Sequence, residues 1–260
     1  MIYNGNINYL FFVFLLLGLN PKAQEEVFLQ KSCIINSDTI KYRLLVPKDY
    51  DEQKKYPMLV FLHGAGERGN DNKLQLIHGS TLFSSKKIRK KFNSFVVFPQ
   101  CPKKKYWATI IKNNDGNFKY SPNPRRNLQL RKVEFLLKDL ENIYNIDKNR
   151  IYVGGLSMGG MGTYELVYRN PNKFAAAFSI CGGANPKIAE KISSPAWFIY
   201  HGKEDKVVPI EHSKKIVAAL KEINANVNFT QYENIYHNSW DMVFKERNFL
   251  KSIFKQTLEL

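Results

Sequence analysis

Cysteine, acidic residues and long hydrophobic runs are all in short supply in this chain. Its 260 residues include three cysteines, Cys33, Cys101 and Cys181, so at most one internal disulfide could form and a bridge-stapled scaffold is excluded. The expectation is buried thiols, since free cysteine packs as a small apolar residue. There is no C-x-x-C pair and no H-E-x-x-H helix, so nothing marks a zinc site, and neither metal nor cofactor is expected. No apolar run approaches the roughly 20 residues a bilayer-spanning helix needs. No internal repeat or low-complexity linker divides the chain, which excludes a repeat array.

Acid is scarce relative to base: 23 Asp and Glu against 39 Lys and Arg give a formal net charge of +16. Such an excess suits nucleic acid, an anionic polymer or a membrane surface. The lysines, however, are spread through a chain also rich in Asn and Ile, and no nucleic-acid-binding module is recognisable, so nucleic acid is not an expected partner.

The apolar run Tyr9 to Leu19 has the length of a signal-peptide core, and Pro21-Lys22-Ala23 offers a small residue before Gln24. Residues 1–23 therefore read as a secretion signal. The mature protein is then expected to be secreted or periplasmic, without stable membrane association after cleavage. No Lys or Arg precedes the run and Pro21 is a poor outer cleavage residue, which makes an uncleaved anchor the rival reading. Loss of the segment, whose only charged side chain is Lys22, leaves +15.

Residues 24–260 alternate strand and helix patterns, as expected of one α/β domain with a mostly parallel sheet flanked by helices. Strands are expected at Ile40 to Val46, Met58 to Leu62, Phe95 to Phe98, Ile151 to Val153, Ala175 to Ile180, Ala196 to Tyr200 and Val227 to Tyr232. Helices are expected at Leu128 to Tyr144, Met158 to Tyr168, Ile210 to Ile223 and Met242 to Phe254. Catalytic groups in such a sheet collect at the carboxyl ends of the strands.

Gly155-Leu156-Ser157-Met158-Gly159 is a G-x-S-x-G sequence between a β-branched run and a helical stretch. In a nucleophile elbow the serine sits on a sharp strand-to-helix turn at a helix N-terminus, where unpaired N–H groups favour developing negative charge. Alone the motif is weak, matching roughly one chain of this length in ten by chance. The other parts follow in order. Pro57 to Leu62 runs into His63-Gly64-Ala65-Gly66, the position of an oxyanion loop. Asp205 follows the strand Ala196 to Tyr200, and His237 follows Val227 to Tyr232. Ser157, Asp205 and His237 thus stand in the Ser, Asp, His order of α/β-hydrolases.

LHGAGERGNDN (Leu62 to Asn72), FPQCP (Phe98 to Pro102), GGLSMGGMGT (Gly154 to Thr163), HGKEDKVVP (His201 to Pro209) and HNSWD (His237 to Asp241) resemble secreted α/β-hydrolase esterases. The nearest groups are the phospholipase/carboxylesterase and carbohydrate-esterase families, the latter including feruloyl or acetyl esterases and polyhydroxybutyrate-depolymerase-like enzymes, often labelled prolyl-oligopeptidase-like. The resemblance spans roughly Lys41 to Phe254 and is specific for the superfamily, poor for substrate. It implies a serine esterase of small or polysaccharide-linked esters, with Ser157 as nucleophile, His237 as base and Asp205 as acid. The N–H groups of Ala65 and Met158 would form the oxyanion hole. One departure is Tyr236 before the base, where relatives usually have glycine.

Rival readings accompany each residue. Glu204 competes with Asp205 as the acid; His63 is read as a brace of the oxyanion loop, His201 as bonding locally, and His78 and His212 as structural or exposed. Trp107 and Trp240 are candidates to line the substrate cleft, against plain core packing. Lys103-Lys104-Lys105 follows a strand at its carboxyl end, where it could attract anionic substrate; a solvated surface is the alternative. A prolyl-oligopeptidase-type serine peptidase would use the same triad, but 260 residues leave no room for a gating domain. A non-catalytic binding protein on the same fold is the third class.

Overall fold

The strand Tyr56–Leu62 is buried along its whole length, and its side chains alternate between two cores. Met58, Val60 and Leu62 join one apolar cluster, Leu59 and Phe61 the other, as the twofold period of a strand requires when both faces of a sheet are covered. In this computed structural model, residues 27–35, 38–112 and 118–258 are described. The proposed signal segment lies outside them.

Ten strands occur among the described residues: β1 (Leu29–Ile35), β2 (Asp38–Leu45), β3 (Tyr56–Leu62), β4 (Phe95–Pro99), β5 (Ile110–Lys112), β6 (Phe118–Tyr120), β7 (Ile146–Leu156), β8 (Ala176–Ile180), β9 (Ala196–Gly202) and β10 (Val227–Tyr232). Eight form one sheet in the order β1-β2-β4-β3-β7-β8-β9-β10, and β5 and β6 pair as a separate hairpin. The β1–β2 and β2–β4 pairs are antiparallel and every later pair is parallel. This is the mostly parallel, helix-flanked α/β-hydrolase sheet expected from the sequence.

The helices are α1 (Ser80–Ser84), α2 (Lys86–Lys91), α3 (Leu128–Ile143), α4 (Met158–Arg169), α5 (Glu211–Glu222), α6 (Trp240–Val243) and α7 (Phe249–Phe254). Helix α3 starts where the Asn127 side chain accepts the N–H groups of Gln129 and Leu130, and it buries Leu130, Val133, Leu136, Leu137 and Leu140 at helical spacing. With α4 and α5 it covers one face; α6 and α7 lie on the other.

Two expectations are corrected. The single C-terminal helix from Met242 to Phe254 is two short pieces, because Val243 and Phe249 both enter the same core cluster. On one continuous helix they would stand about 120° apart. The strand around Ile151 to Val153 begins earlier, at Ile146, where Ile146 pairs with Tyr56. Among the described residues no helix is long and apolar enough to cross a membrane, and all three cysteines are free and buried.

Candidate active site

β7 and α4 meet at Ser157 with no intervening loop, and the turn places the serine backbone at φ 53° and ψ −116°, a conformation a side chain rarely adopts. It is held there because the Ser157 N–H donates to the Ile180 carbonyl at the end of β8 (2.8 Å). The turn also brings α4 against β3. A Cβ on Gly155 or Gly159 would overlap the Leu62 carbonyl, so these positions accept only glycine.

His237 and Asp205 arrive from the ends of β10 and β9. His237 Nε2 lies 3.0 Å from Ser157 Oγ and its Nδ1 lies 2.8 Å from Asp205 Oδ2. The Nδ1 therefore carries the proton toward the carboxylate, leaving Nε2 to accept from the hydroxyl. Asp205 is buried. Its Oδ1 accepts the N–H groups of Val207 and Val208, each at 2.9 Å, and its Oδ2 also faces His201 Nε2 at 3.2 Å. Burial alone would raise the Asp205 pKa, but the hydrogen bonds from His201, His237 and Val208 outweigh it and hold the carboxyl well below its ordinary range. Glu204 is exposed and takes no part.

The third side of the site is the loop after β3. Ala65 opens a 3₁₀ turn, Ala65–Glu67, and Met158 opens α4. Among the described residues the N–H groups of Ala65 and Met158 donate to nothing within the protein. His63 braces the loop from below: Nε2 accepts the Cys101 N–H (3.0 Å), so Nδ1 donates to the Gly64 carbonyl (2.7 Å). Burial pushes its pKa down to about 4, which keeps the ring neutral.

The tryptophans part company. Trp240, half-buried, stands edge-on to the His237 ring at 5.5 Å and contacts the His78 ring at 5.1 Å, beside the triad. Trp107 has no exposed surface. It packs against His63 and beneath Gly162 of α4, so it supports the loop from inside and does not face a cleft. Tyr236 is 60 % exposed next to the base. Lys103, Lys104 and Lys105 are all exposed.

Residues 49–253 match the family described as phospholipase/carboxylesterase. The chain belongs to that family. A solved thermostable esterase is 36% identical and superposes with a TM-score of 0.82 over 90% of this chain and 64% of that one. A bifunctional acetylxylan esterase/xylanase of Neocallimastix patriciarum is 40% identical over 77 residues, 29% of this chain and 11% of that protein. Lysophospholipase-like protein 1 of Mus musculus is 27% identical over 198 residues, 69% of this chain and 79% of its own. The chain thus spans less than two thirds of the first two proteins.

In the same site, Cys181 Sγ lies close to Asp205 and His237, all three ligand atoms within 4.8 Å of one another. The geometry is a poor metal site. Burial, aided by Asp205, holds the thiol pKa well above its ordinary range, and the triad hydrogen bond already engages the Asp205 and His237 atoms that face each other. His201 is the residue the sequence undervalued. Its Nδ1 faces Ser213 Oγ at 2.8 Å and its Nε2 lies between Asp205 Oδ2 and the Val208 carbonyl, so it helps seat Asp205. The four-residue spacing from His201 to Asp205 was the available signal.

Proposed function

We propose that this protein is an exported serine carboxylic-ester hydrolase that acts through an acyl-enzyme on small or polysaccharide-linked esters. The observation that carries the reading is the unbroken relay from Asp205 to His237 (2.8 Å) to Ser157 (3.0 Å). As Ser157 Oγ attacks an ester carbonyl, His237 Nε2 takes its proton, and Asp205 keeps the imidazole in the required tautomer and stabilises its cation. The Ala65 and Met158 N–H groups receive the charge that develops on the carbonyl oxygen, helped by the N-terminus of α4. His237 then protonates the leaving alcohol. Water, activated by the same imidazole, hydrolyses the acyl-enzyme and restores Ser157.

Family membership supports the reaction class, and the similarity to an acetylxylan esterase supports polysaccharide-linked esters as substrates. Export rests on the apolar run Tyr9 to Leu19. The test is hydrolysis of p-nitrophenyl acetate beside a prolyl-anilide. Turnover of the ester, abolished in Ser157→Ala, supports the reading; cleavage of the anilide alone would replace it with a peptidase.

A further inference from the structure

The oxyanion-loop side of the site holds a cation that the triad does not use. Arg68 follows the Ala65–Glu67 turn, and its Nε donates to the carbonyl of Ala65 at 2.8 Å. Its Nη1 reaches the Lys105 carbonyl at a longer 3.4 Å, and the guanidinium carbon lies 5.9 Å from the centre of the Tyr106 ring. The planar group is therefore tied to two loops beside an aromatic side chain, with three of its five N–H bonds left over among the described residues. Its side chain is half-buried.

Glu67, the acid next to Arg68 in the chain, makes no ion pair with it, and its Oε2 is buried without a hydrogen-bond partner among the described residues. Glu67 faces His78 at 3.7 Å; Asp71 accepts from Gln100 and from the N–H groups of Lys73 and Leu74; Asp38 pairs with Lys132. Among the described residues no carboxylate reaches ion-pair distance of Arg68. The exposed Lys103, Lys104 and Lys105 add positive charge on the same side. An uncompensated guanidinium, oriented by backbone carbonyls and bonded to the residue that supplies an oxyanion donor, is organised for a carboxylate, which it matches as a fork.

We propose that Arg68 binds a carboxylate on the substrate, so that the preferred esters carry an acid group a few atoms from the scissile carbonyl, as esters on an acidic polysaccharide do. Lys103 to Lys105 contribute attraction at longer range. The inference rests on the ester-hydrolase reading above.

Two matched pairs test it: monoethyl adipate against diethyl adipate, with the acid in the acyl part, and 4-acetoxybenzoate against its methyl ester, with the acid in the leaving alcohol. In wild type, kcat/KM favours the carboxylate member of at least one pair. Arg68→Gln lowers that anionic-to-neutral ratio by about tenfold or more, chiefly through KM, and Arg68→Lys, which keeps charge but not the fork, falls between. The ratio is the readout because losing the Ala65 contact slows both members alike. Replacing Lys103, Lys104 and Lys105 with Gln lowers the ratio only at low salt, since exposed charges are screened beyond about 8 Å at physiological ionic strength. Hydrolysis of the neutral esters with an unchanged ratio in Arg68→Gln overturns the assignment alone. Failure of wild type on all four esters overturns the hydrolase reading and this assignment with it.

Discussion

The two loops that converge on Ser157 satisfy opposite requirements. After β9, Asp205 is saturated: each carboxylate oxygen has two partners, drawn from the Val207 and Val208 N–H groups, His201 and His237. After β3, the Ala65 N–H has no partner among the described residues, and the turn it opens has no side-chain cap. On the proposed mechanism Asp205 has only to stay in place, in keeping with the use of every acceptor site on it. On the proposed mechanism the oxyanion donors serve the transition state, so they would not also hold their own loop. That loop is held by its carbonyls instead, through His63 on Gly64 and Arg68 on Ala65.

The largest effect comes from the point where the loops meet. Ser157→Ala should lower kcat on p-nitrophenyl acetate by at least ~10⁴ with the circular dichroism spectrum unchanged, because the nucleophile acts as one unit with its base. Retention of a tenth of the activity would sink the assignment.

On the saturated side, Asp205→Asn should cost roughly 10³ to 10⁴ in kcat by offering the wrong partner to His237. The exposed neighbour Glu204→Gln should cost less than about tenfold. The reverse ranking in steady-state kinetics would move the acid.

Glu165 probes a buried carboxylate outside both loops. It sits on α4 and accepts the Thr109 N–H (2.5 Å) and hydroxyl (2.9 Å), yet burial raises its pKa to about 7. Raised above its unfolded value, it stabilises the fold most below the ordinary carboxyl range, and the contribution is lost as pH rises through about 7. Urea unfolding between pH 4.5 and 8 should show a loss of up to about 3 kcal/mol in wild type that Glu165→Gln lacks, at about 1.4 kcal/mol per pKa unit. Parallel stability curves would contradict the raised pKa.

On the open side, His63→Ala removes the brace under Gly64 and leaves the buried Cys101 N–H unpaired. A misplaced oxyanion donor should lower kcat by about 10- to 100-fold with little change in KM. An unaltered kcat would show that the loop needs no support from below.

How much of this could be read in advance follows from where the deciding contacts lie. β3, β8 and β9 were legible because their residues are buried on both faces and form unbroken apolar runs. β1 was missed because it is an edge strand whose residues are mostly exposed, so no burial pattern is written into it. The β5–β6 hairpin escaped because each strand has three residues. The convergence of Ser157, Asp205 and His237 was legible because each follows a recognisable strand. The burial of Trp107 was not, since it depends on Gly162 of α4, far along the chain, leaving room for its backbone and Cβ.

Fluorophosphonate labelling followed by peptide mass spectrometry tests the central claim most directly, because only a serine activated by a neighbouring base and facing oxyanion donors reacts readily. A single adduct on Ser157, lost in His237→Ala, is the predicted result. An adduct on another residue, or a protein that turns over esters while Ser157 stays unmodified, would contradict it.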